Sequence, residues 1–157
     1  MRILQIIIVL FLFMACGTTK QAAQTNLLDE DAKVVISYKQ TMGRNLMAPL
    51  YEIELYSNKQ MFLNAQKNLD VEGKYMRTLT EKEYNQLIEV FTEADFFNFE
   101  DFYISKMRDL PSRYLYFSYD GKEKKVHDYD DAPEKLKELE YFVQSYLDRV
   151  GWIKMAW

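Results

Sequence analysis

The chain has 157 residues and a formal net charge of −4, with 12 tyrosines, 10 phenylalanines and 2 tryptophans but one cysteine and one histidine. The length is that of one domain, large enough to bury a core of its own. The charge balance excludes nucleic acid as a partner, since no basic cluster is present, and a single cysteine excludes an internal disulfide framework.

Arg2 supplies one positive charge, residues 3–14 are apolar apart from Gln5, and the small Ala15 precedes Cys16. That order describes a secretory leader over residues 1–15. The apolar run is shorter than the about 20 residues a membrane-spanning helix needs. The stretch Leu12-Phe13-Met14-Ala15-Cys16 resembles the lipobox of bacterial lipoproteins, with Phe13 where leucine is usual. The resemblance implies cleavage before Cys16, diacylglycerol on its thiol and a fatty acyl chain such as palmitate on its amine. A plain secreted leader, or a short membrane anchor with an incidental cysteine, is the competing reading.

Each buried methylene contributes roughly 0.8 kcal/mol, so two or three chains on Cys16 would hold the protein to a membrane without any lipid-binding surface on the domain. The thiol is then consumed, and no redox or nucleophilic cysteine is left. Residues 16–31 carry the lipidated cysteine and a small, polar, aperiodic tether. No acidic cluster follows Cys16 directly, which points to the periplasmic face of a bacterial envelope membrane rather than the cell surface.

Strands are expected over 33–38, 49–56, 60–65 and, briefly, around 73–76. In the second, Tyr51, Ile53 and Leu55 share one face and Glu52 and Glu54 the other. Thr80-Glu81-Lys82-Glu83 is a capping box, and Tyr84, Leu87, Ile88 and Phe91 give a helix stripe ending near Ala94 or Asp95. Residues 96–111 are irregular and rich in aromatics. Residues 112–119 and 122–129 form a hairpin around Asp120-Gly121, a pair that tolerates the positive φ of a type I′ turn. Asp131 caps a second helix with Pro133 in its first turn. Leu136, Leu139, Val143, Tyr146 and Val150 form its apolar face, and Gly151 fits just past its end. The order is βββ(β)-α-ββ-α. The expected fold is α+β: an antiparallel sheet of about five to six strands with two helices packed on one face. It forms a single domain over residues 32–152, with residues 153–157 as a tail.

Several elements together resemble a domain of unknown function found in envelope lipoproteins of Gram-negative bacteria. They are Pro49-x-Tyr51-x-Ile53-x-Leu55, Gly73-Lys74-Tyr75, Leu79-Thr80-x-x-Glu83-x-x-x-Leu87, Asp109-Leu110-Pro111, Gly121-Lys122, Val126-x-Asp128 and Ala132-Pro133-x-x-Leu136-x-x-Leu139-Glu140. Members often carry Cys-Phe-Gly-x-Cys-Pro before the second strand. Only Pro49 of it survives, with Arg44 and Ala48 at the cysteine positions. Whatever that pair does elsewhere, this chain does not do. The resemblance brings no activity with it.

Chemistry is sparse. His127-Asp128-Tyr129-Asp130-Asp131 holds the one histidine, but on a strand His127 and Asp128 point to opposite sides, and a metal needs converging ligands. No metal or cofactor site is expected. No G-x-S-x-G is present, and the six serines of residues 31–157 have one imidazole among them. Glu52 and Glu54 read as a solvated face rather than a carboxylate pair. Lys122, Lys124 and Lys125 read as protection of a strand edge.

Phe99, Phe102, Tyr103, Trp152 and Trp157 lie outside the periodic core stripes and make up the candidate binding surface. The expectation is a membrane-anchored, non-catalytic binding or scaffolding module with an envelope protein or polymer as partner. An envelope hydrolase working through carboxylates is the alternative.

Overall fold

The computed structural model describes residues 31–44 and 46–156. The leader, Cys16, the tether up to residue 30 and Trp157 lie outside the described residues. The elements are β1 (Val34–Gln40), β2 (Leu50–Tyr56), β3 (Gln60–Lys67), β4 (Gly73–Thr78), α1 (Glu81–Glu93), a 3-10 turn (Phe96–Asn98), β5 (Phe102–Ile104), β6 (Arg113–Tyr119), β7 (Lys122–Tyr129), α2 (Glu134–Gln144) and β8 (Ile153–Lys154).

One sheet contains all eight strands in the order β5-β7-β6-β1-β2-β3-β4-β8. Every ladder is antiparallel except β5 with β7, which is parallel. This overturns the expected antiparallel sheet of five to six strands with two helices on one face: the sheet is larger and mixed. The two unexpected strands are its edges, three residues in β5 and two in β8. Elements so short carry no period of their own. They form because they satisfy backbone groups that β7 and β4 would otherwise present to water.

Alternation sets which strand residues enter the core. Ile36 and Tyr38, Tyr51, Ile53 and Leu55, Met61 and Leu63, Leu115 and Phe117, and Val126 and Asp128 are buried, and their neighbours face away from the core, except Val35, which is also buried where the register of β1 on β2 shifts. Leu87 and Phe91 of α1 and Leu136, Leu139 and Val143 of α2 join the same cluster. Phe91 packs 5.0 Å from Phe117 and 5.2 Å from Phe96, ring centre to ring centre.

The capping box of α1 is formed, with Glu83 N–H donating to Thr80 Oγ1 at 3.2 Å and Thr80 N–H to Glu83 Oε2 at 2.9 Å. The hairpin turn has Asp120 at φ 51 and Gly121 at φ 73, as a type I′ turn requires.

The second helix differs from its expectation at both ends. Pro133 in an extended conformation occupies the cap, without a side-chain cap bond. Asp128, not Asp131, serves this end: its Oδ1 accepts the amides of Asp131 and Ala132, each at 3.1 Å. The helix stops at Gln144, and Val150 is 90% exposed.

Candidate functional site

The outer side of β7 is only partly covered. His127 N–H donates to Asp101 O and Ser105 N–H to Tyr129 O, each at 2.9 Å, so the odd-numbered residues of β7 face β5. The β5 ladder spans only His127 to Tyr129. Glu123 and Lys125 therefore point their backbone N–H and C=O groups off the same edge, with no strand beside them.

A groove of about 810 Å³ follows this open stretch. Phe97 and Asp101 stand on its core side, and Tyr114, His127 and Phe102 on its outer side. His127 lies flat on Tyr114, with ring centres 4.4 Å apart and 13° between planes. Phe102 meets His127 edge-on at 6.2 Å and is 66% exposed. The imidazole Nε2 is buried without a hydrogen-bond partner.

The four residues of the edge divide by charge state. Lys124 Nζ is 2.6 Å from Asp101 Oδ1, and Glu123 accepts from Tyr116 Oη at 3.0 Å. Lys122 and Lys125 have no carboxylate at ion-pair distance among the described residues. Each rests over a ring instead: Lys122 Nζ 5.9 Å from the centre of Phe97, Lys125 Nζ 5.2 Å from that of Tyr114. Two unneutralised ammonium groups thus flank an aromatic groove on a chain of net charge −4.

The described residues of the expected binding surface are divided between the two edges of the sheet. Phe102 is exposed at the groove. Phe99 is half-buried, 5.9 Å from the Phe96 ring, and Tyr103 is half-buried, its Oη accepting from Glu100 N–H at 2.9 Å. Trp152 sits beside β8, at the opposite edge of the sheet, with Nε1 donating to Tyr146 O at 2.9 Å. There Tyr146 is stacked beneath Arg149 at 3.9 Å, and both Arg149 and Arg77 reach Glu83. Cys16 and Trp157 lie outside the described residues. Tyr114, Lys122, Lys125 and His127 were missed as a set. The available signal was the coincidence of three lysines and the lone histidine on one hairpin arm.

A second polar group lies inside the core, between β6, β7 and α2. Asp128 is fully buried and Glu140 is 2% exposed. Arg113 Nη1 is 3.2 Å from Asp128 Oδ2 and 3.6 Å from Asp130 Oδ1, and its Nε is 3.6 Å from Glu140 Oε2. Burial, and then the neighbouring Asp128 charge, push the Glu140 carboxyl up to about 8, against the pull of Arg113. Burial likewise raises the Tyr38 hydroxyl, which donates to Gln40 Oε1 and accepts from Gln144 Nε2. This network ties three strands and a helix together, with Tyr38, Asp128 and Glu140 buried at its centre.

Glu52 and Glu54 border a smaller hollow of about 270 Å³ with Tyr56, Phe62 and Met155. Burial raises the Glu54 carboxyl, although Tyr56 Oη donates to it at 3.2 Å. The two carboxylates stand side by side on one strand face rather than across a gap from each other. Among the described residues, no three carboxylate, imidazole or thiol side chains group to hold a metal ion.

No curated protein matches this chain. The family model described as Domain of unknown function (DUF6438) matches residues 34–147, from the first residue of β1 to just beyond α2, and so takes in the groove and the buried network. On that match, over most of its length, the chain belongs to the DUF6438 family.

Proposed function

We propose that this protein is a lipid-anchored, non-catalytic binding module of a bacterial envelope, and that the groove beside β7 is where it takes its partner. The observation that carries the reading is Phe102, 66% exposed at the mouth of a groove with two uncompensated lysines and an unpaired strand edge. Exposed apolar surface beside polar groups marks interaction sites, and an open edge offers directional hydrogen bonds. The anchor is supported by the order of charge, apolar run, Ala15 and Cys16 in the sequence.

The competing hydrolase reading has less support. Asp128 and Glu140 are sealed from any substrate, and Glu52 and Glu54 do not flank a site where a bond could be cut.

The test is a photoreactive residue placed in cells at Phe102 and, separately, at Tyr141, which is 65% exposed on α2. Adducts from position 102 alone, lost in a Cys16→Ser protein that leaves the membrane, support the module and its anchor. Equal adducts from both positions, or none from 102, overturn the groove as its site. Membrane retention and palmitate labelling of the Cys16→Ser protein overturn the anchor.

A further inference from the structure

We propose that the open stretch of β7 accepts an extended acidic segment of a partner protein as an added strand. The inference rests on the groove being the binding site and goes on to name the chemistry of its occupant.

The first argument is the backbone. Glu123 and Lys125 each present an N–H and a C=O off the sheet edge, in line with the groups of His127 and Tyr129 that β5 already satisfies. A peptide strand meets such groups in pairs, at the spacing of its own backbone. A glycan has no repeating N–H and C=O at that spacing.

The second argument is charge on both sides of the incoming strand. Side chains of an added strand alternate between the two faces of the sheet. On the outer face they would meet Lys125 over Tyr114, and on the core side Lys122 over Phe97. Both ammonium groups lack a carboxylate at ion-pair distance among the described residues, while Lys124 is paired with Asp101 and Glu123 keeps its charge, hydrogen-bonded by Tyr116. A carboxylate on either face of the guest therefore finds a free cation, and the edge, with Lys122, Lys124 and Lys125 against Glu123 and Asp101, keeps a net positive charge that favours an acidic guest over a basic one. Lysines on an edge ordinarily discourage pairing with any strand. Here they discourage all but an acidic one, which is selection by charge.

The third argument is the wall. Phe102 and His127 close the outer side at the point where β5 begins, and Phe97 closes the core side. An apolar side chain two residues from the carboxylate that meets Lys125, and so on the same face, would cover Phe102; a guest in which pairs of acidic residues alternate with pairs of β-branched ones fits best.

The experiment uses the full-length protein and a fluorescent synthetic peptide of about ten residues, in which pairs of glutamates alternate with valine–threonine pairs so that both faces carry carboxylates. Three comparison probes are the same peptide N-methylated at successive amides, so that neither edge can donate, a peptide with lysine for glutamate, and polygalacturonate as an acidic glycan. The expected result is saturable binding of the acidic peptide that weakens with salt. N-methylation, or the double change Lys122→Glu/Lys125→Glu in a protein of unchanged thermal stability, should each weaken it roughly tenfold or more. Lys82→Glu/Lys135→Glu, an equal charge change on exposed α1 and α2 surface outside the groove, should leave it within about twofold. Absence of binding by the acidic peptide, equal binding of the N-methylated or lysine peptide, or indifference to the double change overturns the added strand. Tight binding of polygalacturonate that the double change abolishes also overturns it, by giving the lysines to a glycan. If these probes fail while crosslinks from position 102 persist, the binding module stands and the acidic strand falls.

Discussion

Arg113 Nη1 lies 3.2 Å from Asp128 Oδ2, where the carboxylate has no solvent exposure and its other oxygen caps the approach to α2. One guanidinium thus faces the carboxyls of both β7 and α2. Removing it as Arg113→Met leaves Asp128 buried without a counter-charge. The expected loss is about 3–5 kcal/mol, read from urea unfolding at pH 7. A loss below about 1 kcal/mol would mean that water reaches the pair.

Glu140 should make stability fall with rising pH. Its folded value is about 8, whereas an unfolded glutamate titrates near roughly 4.3. Between the two, the folded chain holds a proton that the unfolded chain has lost. The contribution is complete below the unfolded value and gone once pH has risen through the folded one. Glu140 is faced by Asp128, Arg113, Tyr38, Tyr51 and its helix neighbour Lys137. All of these remain in Glu140→Gln, so the difference between the two proteins isolates the one carboxyl. Urea midpoints from about pH 5 to 9 should decline more steeply in the parent than in the variant. Parallel curves would place the proton elsewhere.

Gly43 and Gly121 both have positive φ, at 66° and 73°, but only one is crowded. A Cβ on Gly43 would come within 2.8 Å of Asp109 O and Leu110 C and 2.9 Å of Pro111 N, all backbone atoms that cannot swing away. A Cβ on Gly121 meets nothing within 4 Å. Gly121→Ala should cost about 1 kcal/mol from conformation alone. Gly43→Ala should cost at least about 1 kcal/mol more, seen as a larger drop in thermal midpoint. Equal drops would show that the segment around residues 109–111 gives way.

Thr80→Ala should cost about 0.5–2 kcal/mol, and Thr80→Ser should restore most of it. The reason lies in Glu83. Burial pushes its carboxyl up, but the Thr80 amide and hydroxyl with Arg77 outweigh this and hold it below the usual range. Loss of the hydroxyl removes the bond that Glu83 N–H makes and one that its carboxylate receives. Equal stability of the alanine and serine variants would reduce the cap to a packing effect.

Local signals account for what the sequence made legible. The alternation of Tyr51, Ile53 and Leu55, the Thr80–Glu83 box and the Asp120-Gly121 turn each act within a few residues, and each element formed. β5 and β8 were illegible because distant strands decide them: β5 exists where β7 has unpaired groups, and β8 where β4 does. The second helix was drawn too long because Tyr146 continues its apolar spacing. In the structure Tyr146 is buried in the turns beyond the helix, between Arg77 and Arg149. Of the candidate surface, exposed Phe102 was legible, but its neighbours were not. Tyr114 and His127 meet only because β6 and β7 set them opposite each other.

β1 is laddered on both sides, to β2 and to β6, and it is the strand that follows directly from the chain's N-terminal part. Tension applied ahead of Val34 would thus enter at the middle of the sheet and not at an edge that could peel. Antiparallel bonds lie across the strand axis, so a pull along β1 shears both ladders at once and spreads the load over many bonds. A partner holding β7 would complete the path through β6, one strand away. That path is not one of shear: Ile36, Phe117 and Lys124 lie in one row across the sheet, so the N-terminal end of β1 and the open stretch of β7 share one end of it, and a pull between them acts across the strands and opens the ladders from that end.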